Sequence, residues 1–140
     1  MGLRLETDKS DIARAVIEGL AFSVGHIATV VAECDVHIDE VFLAGGLARN
    51  DLLCQIKADV WNVPVKTFSD HELTSIGLGV IMAVSLGYFK DMSEATSSFA
   101  RIEKEFTPNV HTQNLHRDAF KRYQQYSNAL APLYAPLRPN

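Results

Sequence analysis

Apolar residues recur along the chain at two spacings, and the two spacings predict different elements. Where they recur every three or four residues, one face of a helix is apolar and the segment is expected to pack on a core. Short continuous runs rich in Val, Phe and Leu predict buried strands instead. On this basis the predicted helices cover residues 11–33, 50–62, 72–86, 93–99 and 113–130, and the predicted strands cover residues 40–44 and 63–68.

Strands that alternate with helices favour a parallel pairing with helices packed on it, so the predicted fold class is α/β, with few strands and several packed helices. Two strands alone make a marginal sheet with exposed edges, which indicates that the chain is part of a larger arrangement. The length of 140 residues predicts one domain that can bury a core without metals or disulfides. Pro132 and Pro136 are expected to keep the tail from continuing the last helix.

Composition narrows the kinds of partner. The net charge of −4 and the pI near 5.7 give no overall field that would attract nucleic acid or an anionic membrane surface. The uncharged apolar run at residues 76–89 is too short to span a bilayer. The polar N-terminus has no signal-peptide pattern, and the two cysteines form no Cys-x-x-Cys pair. A reduced, cytoplasmic protein is therefore expected.

Two adjacent glycines follow the first predicted strand, in the segment EVFLAGGLARND at residues 40–51. Glycine costs backbone entropy, so Gly45 and Gly46 indicate either a turn that other residues cannot make or backbone that a ligand must approach closely. A strand that turns into a helix gathers backbone N–H groups at the positive helix end, which suits a phosphate, and the Asn50 side chain would stand at the same opening. Alternatively, Asn50 or Asp51 simply caps the helix. Asp51 counts against a phosphate, because its carboxylate would compete with one.

Other polar residues are expected to be structural. Gln55 and Asp59 lie four residues apart on one helix face, and such side chains more often bind neighbouring backbone or helix ends than a ligand. Arg14 and Glu18 have the i, i+4 spacing of a helical ion pair. Three histidines show no partner in the sequence that would make them catalytic: His71, His111 and His116.

The surroundings of the glycine pair resemble the C-terminal domain of the FGGY family of carbohydrate kinases, which includes xylulokinases, gluconate kinases and glycerol kinases. In the string AGGLARNDLLCQIKADVWNVPV, the residues that match the family pattern are Gly45, Gly46, Asn50, Gln55, Ala58, Asp59, Pro64 and Val65. The resemblance continues upstream through DIARAVIEGLAFSV and downstream through HELTSIGLGVIMAVSLGYFKDM and EFTPN. It spans nearly the whole chain. Leu78 departs from the pattern, because the family commonly has a small residue there.

The resemblance implies the actin-like, ribonuclease-H-like ATPase fold, of which residues 1–140 would be the C-terminal nucleotide-binding portion. It also implies ATP-dependent phosphorylation of a sugar or polyol, with ATP and Mg²⁺ as cofactors. In the family the Gly-Gly loop approaches the adenosine and the α-phosphate, so the expected cofactor-binding residues are Gly45, Gly46 and Asn50. No catalytic or metal-binding residue is expected in this chain.

In the family, the catalytic aspartate and the first phosphate-binding hairpin lie before the segment seen here. The polypeptide alone is therefore expected to lack sugar kinase activity. Its expected partners are the missing N-terminal sugar-binding domain, the sugar or polyol substrate of the full-length enzyme and a second copy of itself, with no nucleic acid and no membrane. The alternative is a non-catalytic interaction module, in which exposed strand edges drive oligomerisation or docking on another chain.

Overall fold

The computed structural model describes residues 2–69 and 72–134, in which five α-helices pack around a three-stranded sheet. The helices are α1 (Lys9–Ala32), α2 (Asp51–Trp61), α3 (Leu73–Ser85), α4 (Met92–Phe99) and α5 (Gln113–Tyr134), and a single 3-10 turn covers Gly46–Arg49. The strands are β1 (Val41–Leu43), β2 (Val65–Phe68) and β3 (Ile102–Phe106). This order of elements confirms the predicted α/β class.

The sheet has the strand order β1-β2-β3. β1 and β2 pair in parallel, with Val41 opposite Val65, as the alternation of strands and helices predicted. β3 pairs antiparallel with the other side of β2, and Phe106 lies opposite Val65. The prediction of only two strands was therefore wrong. β3 escaped it because four of its five side chains are exposed and its sequence, IEKEF, has no apolar run.

α2 is the central helix, and its sequence explains where it begins and ends. Asn50 caps the first turn, since its side-chain oxygen accepts a hydrogen bond from the backbone N–H of Leu53 at 3.0 Å. After the last turn, Asn62 adopts the left-handed conformation with φ of 57°, and Pro64 follows shortly. Seven of the eleven residues of α2 are buried, so the helix packs on two sides at once.

The core has two parts, one on each side of α2. Towards the helices, α2 packs with α1 and α5 through Ala21, Phe22, Leu53, Ile56, Val60, Phe120 and Tyr123. Towards the sheet, it packs through Val41, Leu43, Cys54, Ala58, Val65 and Phe106. Each fully buried aliphatic or aromatic side chain of this kind stabilises the fold by roughly 1.5–3 kcal/mol. Because α2 is packed on both sides, the turn that precedes it is also fixed in position.

α1 begins slightly earlier than predicted, because Asp8 caps it. The Asp8 carboxylate accepts from the backbone N–H groups of Ser10 and Asp11, and the Asp11 side chain accepts from the Asp8 N–H. One face of α1 packs on α2 and α5, whereas the opposite face exposes Ile12, Val16, Leu20, Val24, Ile27, Val30 and Val31. By length and composition alone α1 would also pass as a membrane span, as the core helices of soluble proteins do.

α3 and α4 pack against each other outside this core. The chain leaves the sheet at Phe68 and returns to it at Ile102, and these two residues are paired across β2 and β3. The backbone N–H of Ser69 donates to the carbonyl of Arg101 at 3.0 Å, directly beside that pair. The segment between β2 and β3, which contains α3 and α4, therefore begins and ends at one point of the sheet.

α5 extends further than predicted. It runs to Tyr134 with Pro132 inside its last turn, so the expectation that Pro132 stops the helix was wrong. A proline removes one N–H group and leaves the carbonyl four residues earlier without its helical partner. That residue, Asn128, is exposed, so water can solvate its carbonyl and the helix continues.

Candidate functional site

The candidate site is the turn that joins β1 to α2. Gly45 adopts φ of 79° and ψ of −172°, a conformation that is essentially restricted to glycine. Gly46 then opens the 3-10 turn, which ends at Arg49, and Asn50 follows as the cap of α2. The strand therefore reaches the helix through one additional tight turn and not through a direct strand-to-helix bend.

The two glycines meet different requirements. Gly45 is needed by the turn itself, because any side chain at its φ would be strained. Gly46 does not have a positive φ, and a Cβ atom placed on it would meet no atom of the described residues within 4 Å. The fold of the described residues therefore makes no steric demand for glycine at position 46, and the backbone there is open to approach from outside.

The Asn50 side chain has two hydrogen-bonding groups, an oxygen and an NH₂ group, and the fold uses the oxygen. Its side-chain oxygen caps α2 through the Leu53 N–H, so the capping interpretation is confirmed. An asparagine side chain also carries an NH₂ group with two hydrogen-bond donors, which the cap does not require. The same side chain can therefore close the helix and still donate to a ligand. Its contact with a ligand stays a prediction.

An ion pair lies directly after this cap. The Nζ atom of Lys104, on β3, is 2.8 and 2.9 Å from the two carboxylate oxygens of Asp51, at the start of α2. Both side chains are about half exposed. The hydrogen bond to Asp51 raises the pKa of Lys104, so its ammonium group is charged at neutral pH. This pair could not be predicted from local sequence patterns, because its members are 53 positions apart and β3 was not predicted.

The Asp59 side chain, two turns further along α2, is fully buried. Its Oδ1 atom accepts hydrogen bonds from Nε2 of Gln55 at 2.9 Å and from the backbone N–H of Asn109 at 2.7 Å. Its Oδ2 atom lies 2.6 Å from Oγ1 of Thr112 and 2.7 Å from Nδ1 of His116. Burial opposes ionisation, but these hydrogen bonds outweigh it and hold the pKa of Asp59 below its ordinary value. The structural interpretation of this residue is confirmed.

His116 has partners that the sequence did not reveal. Its Nδ1 atom faces Asp59, and its Nε2 atom lies 3.1 Å from a guanidinium nitrogen of Arg14. Because arginine only donates, Nε2 must be the acceptor and Nδ1 must carry the proton. Arg14 also pairs with Glu18 at 2.8 Å, as its spacing predicted. With its basic nitrogen occupied, His116 in this arrangement is not a general base.

The rest of the described chain offers little else for chemistry. Within residues 2–69 and 72–134, no group of three or more His, Cys, Asp or Glu side chains is placed to hold a metal ion. His111 is exposed, and His71 lies outside the described residues. One groove of about 430 Å³ lies between α1 and β1, and another of about 300 Å³ lies between α3 and α4. Neither groove includes the β1–α2 turn.

Comparison with known proteins places the chain among sugar and polyol kinases. A model of the FGGY family of carbohydrate kinases, C-terminal domain, matches residues 1–86. A xylulose kinase of Staphylococcus epidermidis is 27% identical over 137 residues, which cover 98% of this chain and 28% of that protein. A glycerol kinase of Lactococcus lactis is 34% identical over 100 residues, which cover 70% of this chain and 20% of that protein.

Solved structures give the same result. The ligand-bound xylulose kinase of Lactobacillus acidophilus matches 99% of this chain with a TM-score of 0.85 at 28% identity, and a gluconate kinase of the same organism matches with a TM-score of 0.84. These likenesses confirm the predicted actin-like ATPase fold. The chain covers 28% of each of those two proteins, so it spans about a quarter of the length of the relatives it matches.

Proposed function

Because the chain belongs to the FGGY family of carbohydrate kinases, we propose that it supplies the adenosine-binding part of an enzyme that transfers phosphate from ATP to a sugar or polyol. The family implies a phosphotransferase, and the relatives named above are xylulose, glycerol and gluconate kinases. The chain spans about a quarter of the length of such proteins, so the activity and the substrate of the whole enzyme are proposed here together with the role of this part.

The observation that carries this proposal is the open backbone at Gly46. The turn needs glycine at position 45, but nothing among the described residues needs it at position 46. Beside a tight turn at a helix start, such a glycine is consistent with an outside group that lies against the backbone. In the proposed site, Gly45 shapes the turn, Gly46 admits the nucleotide, and the Asn50 NH₂ group donates to it.

The remaining parts of a kinase site would come from outside these residues. Sugar kinases need Mg²⁺ on the phosphates and a general base near the accepting hydroxyl. The described residues hold no cluster of metal-ligating side chains, so the ion would be held by the phosphates and by groups outside them. We infer that the polypeptide alone lacks sugar kinase activity and acts together with an N-terminal sugar-binding domain, in the cytoplasm.

A second candidate is a non-catalytic interaction module. Two observations favour it: the outer face of α1 exposes seven aliphatic side chains, and β1 is an edge strand. Contiguous apolar surface and open strand edges are typical of association sites. In this candidate the chain forms a homo-oligomer or docks on another polypeptide, and it binds no nucleotide.

The test is isothermal titration of the folded chain with Mg-ADP, in the wild type and in Gly46→Val. We expect saturable binding at one site in the wild type and none in Gly46→Val, with unchanged circular dichroism, because a Cβ atom at this position meets no atom of the described residues within 4 Å. Gly19→Val is the matched control. Its Cβ atom also enters open space, but it lies on α1 away from the turn, so binding should persist.

Three other outcomes have different meanings. A folded wild type that binds no ADP contradicts nucleotide binding by this chain and favours the interaction module. A Gly46→Val variant that unfolds means that the turn, and not a ligand, requires the glycine. Turnover of a pentose, polyol or aldonate in a coupled ADP-release assay contradicts the inference that the chain alone is inactive.

A further inference from the structure

An acidic side chain stands beside the proposed nucleotide site. Asp51 is the first residue of α2 and directly follows Asn50, and its side chain is 57% exposed. A carboxylate at this position favours the helix, because it interacts well with the positive end of the helix dipole. It is unfavourable for a nucleotide, because it repels the negatively charged phosphates.

Lys104 removes this conflict. It reaches the start of α2 from β3, where it lies opposite Thr67 of β2, and its Nζ atom contacts both oxygens of Asp51. An ammonium group has three donors, and two of them are used here. The carboxylate is therefore neutralised by a cation that the sheet holds in place, while the positive end of α2 remains.

We propose that Lys104 is a positioning residue of the nucleotide site, which by neutralising Asp51 lets the turn accept a nucleoside di- or triphosphate in preference to an uncharged nucleoside. The inference rests on the proposed function and deepens it, because it assigns the charge selectivity of that site to a residue outside the glycine motif.

The surrounding charges support this assignment. Arg49 ends the 3-10 turn, and Glu103 precedes Lys104 on β3 and interacts with it electrostatically. With Lys104 present, the two cations balance Asp51 and Glu103; without it, the anions are in excess. A half-exposed surface ion pair contributes little to folding, because solvent screens it. Loss of Lys104 should therefore affect an anionic ligand much more than the fold.

The experiment compares ADP with adenosine by isothermal titration of the wild type and of Lys104→Met. We expect the variant to bind ADP on the order of threefold to tenfold more weakly, the effect of one partly screened charge near the phosphates, and to bind adenosine as the wild type does. Lys104→Arg should keep ADP binding. Asp51→Asn added to Lys104→Met should restore it, because the uncompensated carboxylate is then gone.

The matched control is Lys121→Met. It removes the same charge from the protein and breaks a comparable surface pair, Lys121 with Asp118 at 3.3 Å, but it does so on α5. ADP binding should not change. A change equal to that of Lys104→Met would show that only net charge matters and would overturn the proposal.

The remaining outcomes separate this inference from the proposed function. If Gly46→Val removes ADP binding but Lys104→Met leaves it intact, only the role of Lys104 is wrong. If Lys104→Met weakens adenosine and ADP binding equally, or lowers the unfolding temperature by more than Lys121→Met does, the residue acts on the fold and the inference is overturned. If the wild type binds no ADP at all, both proposals fall together.

Discussion

The side chains at the start of α2 and those two turns further along differ in how completely the fold uses them. Asn50 and Asp51 are exposed, and each engages the fold while hydrogen-bonding capacity remains open at the turn. Asp59 is fully buried, and both of its oxygens accept two hydrogen bonds each. Polar groups that the fold uses completely are structural, whereas open backbone and spare donors beside a tight turn are available for binding.

The largest effect on the free energy of unfolding is expected at Asp59, the buried residue of this comparison. Asp59→Ala leaves the N–H of Asn109 and the side chains around it without their acceptor, which should destabilise the fold by about 3–5 kcal/mol. Asp118→Ala is the control, because that carboxylate is exposed and pairs with Lys121 on the surface, where about 1 kcal/mol or less is expected. Urea unfolding measures both, and similar small losses would mean that the Asp59 network does not hold α5 on α2.

The same carboxylate should make stability depend on pH. The pKa of Asp59 is lowered from 3.8 in the folded chain, so its contribution is fully present above the unfolded value and is lost as the pH falls through the folded value. Between about pH 4 and pH 2, the urea midpoint of the wild type should therefore fall more than that of Asp59→Asn, which has no carboxylate to protonate there. Asp118→Asn should follow the wild type. Parallel curves for all three proteins would contradict this prediction.

The smallest effect separates the two glycines of the turn. Gly45→Ala places a side chain at φ of 79°, which should cost about 1–3 kcal/mol of unfolding free energy. Gly46→Ala enters open space and should change stability by no more than about 0.5 kcal/mol. Thermal unfolding of the two variants side by side checks the difference. Equal losses would mean that both glycines serve the turn and would remove the main support for the nucleotide site.

The open start of α2 was predictable from sequence, whereas the buried network was not. Gly45, Gly46 and Asn50 act through their own conformation and through residues next to them, so their spacing carries the information. Three of the four partners of Asp59 are 50 to 57 positions away, in the loop before α5 and on α5 itself. No local sequence pattern indicates a contact between residues so far apart in the chain. The spacing of Gln55 and Asp59 predicted that they would be structural, but not with which residues.

β3 shows the same limit for a whole element. Hydrophobic periodicity identified the five helices and the first two strands because each has an apolar face or run. β1 is less buried than predicted, since Val41 and Leu43 are half-buried and Phe42 is exposed. β3 is held mainly by backbone pairing with β2, and its side chains are mostly exposed, so the sequence IEKEF carries no such signal. Because β3 was not predicted, the contact of Lys104 with Asp51 was not predicted either. The objection that Asp51 raised against a phosphate could therefore be answered only from the structure.

The pairing of Phe68 with Ile102 has a consequence for how the sequence of this domain can vary in evolution. In topological terms β2 and β3 are one hairpin, and α3 with α4 is an insertion in its loop. The entropy of closing a loop grows only with the logarithm of its length, by about 0.6 kcal/mol for each doubling. The insertion can therefore lengthen, shorten or be exchanged at little cost to the hairpin. The pair of Lys104 and Thr67, which brings Lys104 within reach of Asp51, lies in the paired part of the hairpin and outside that loop.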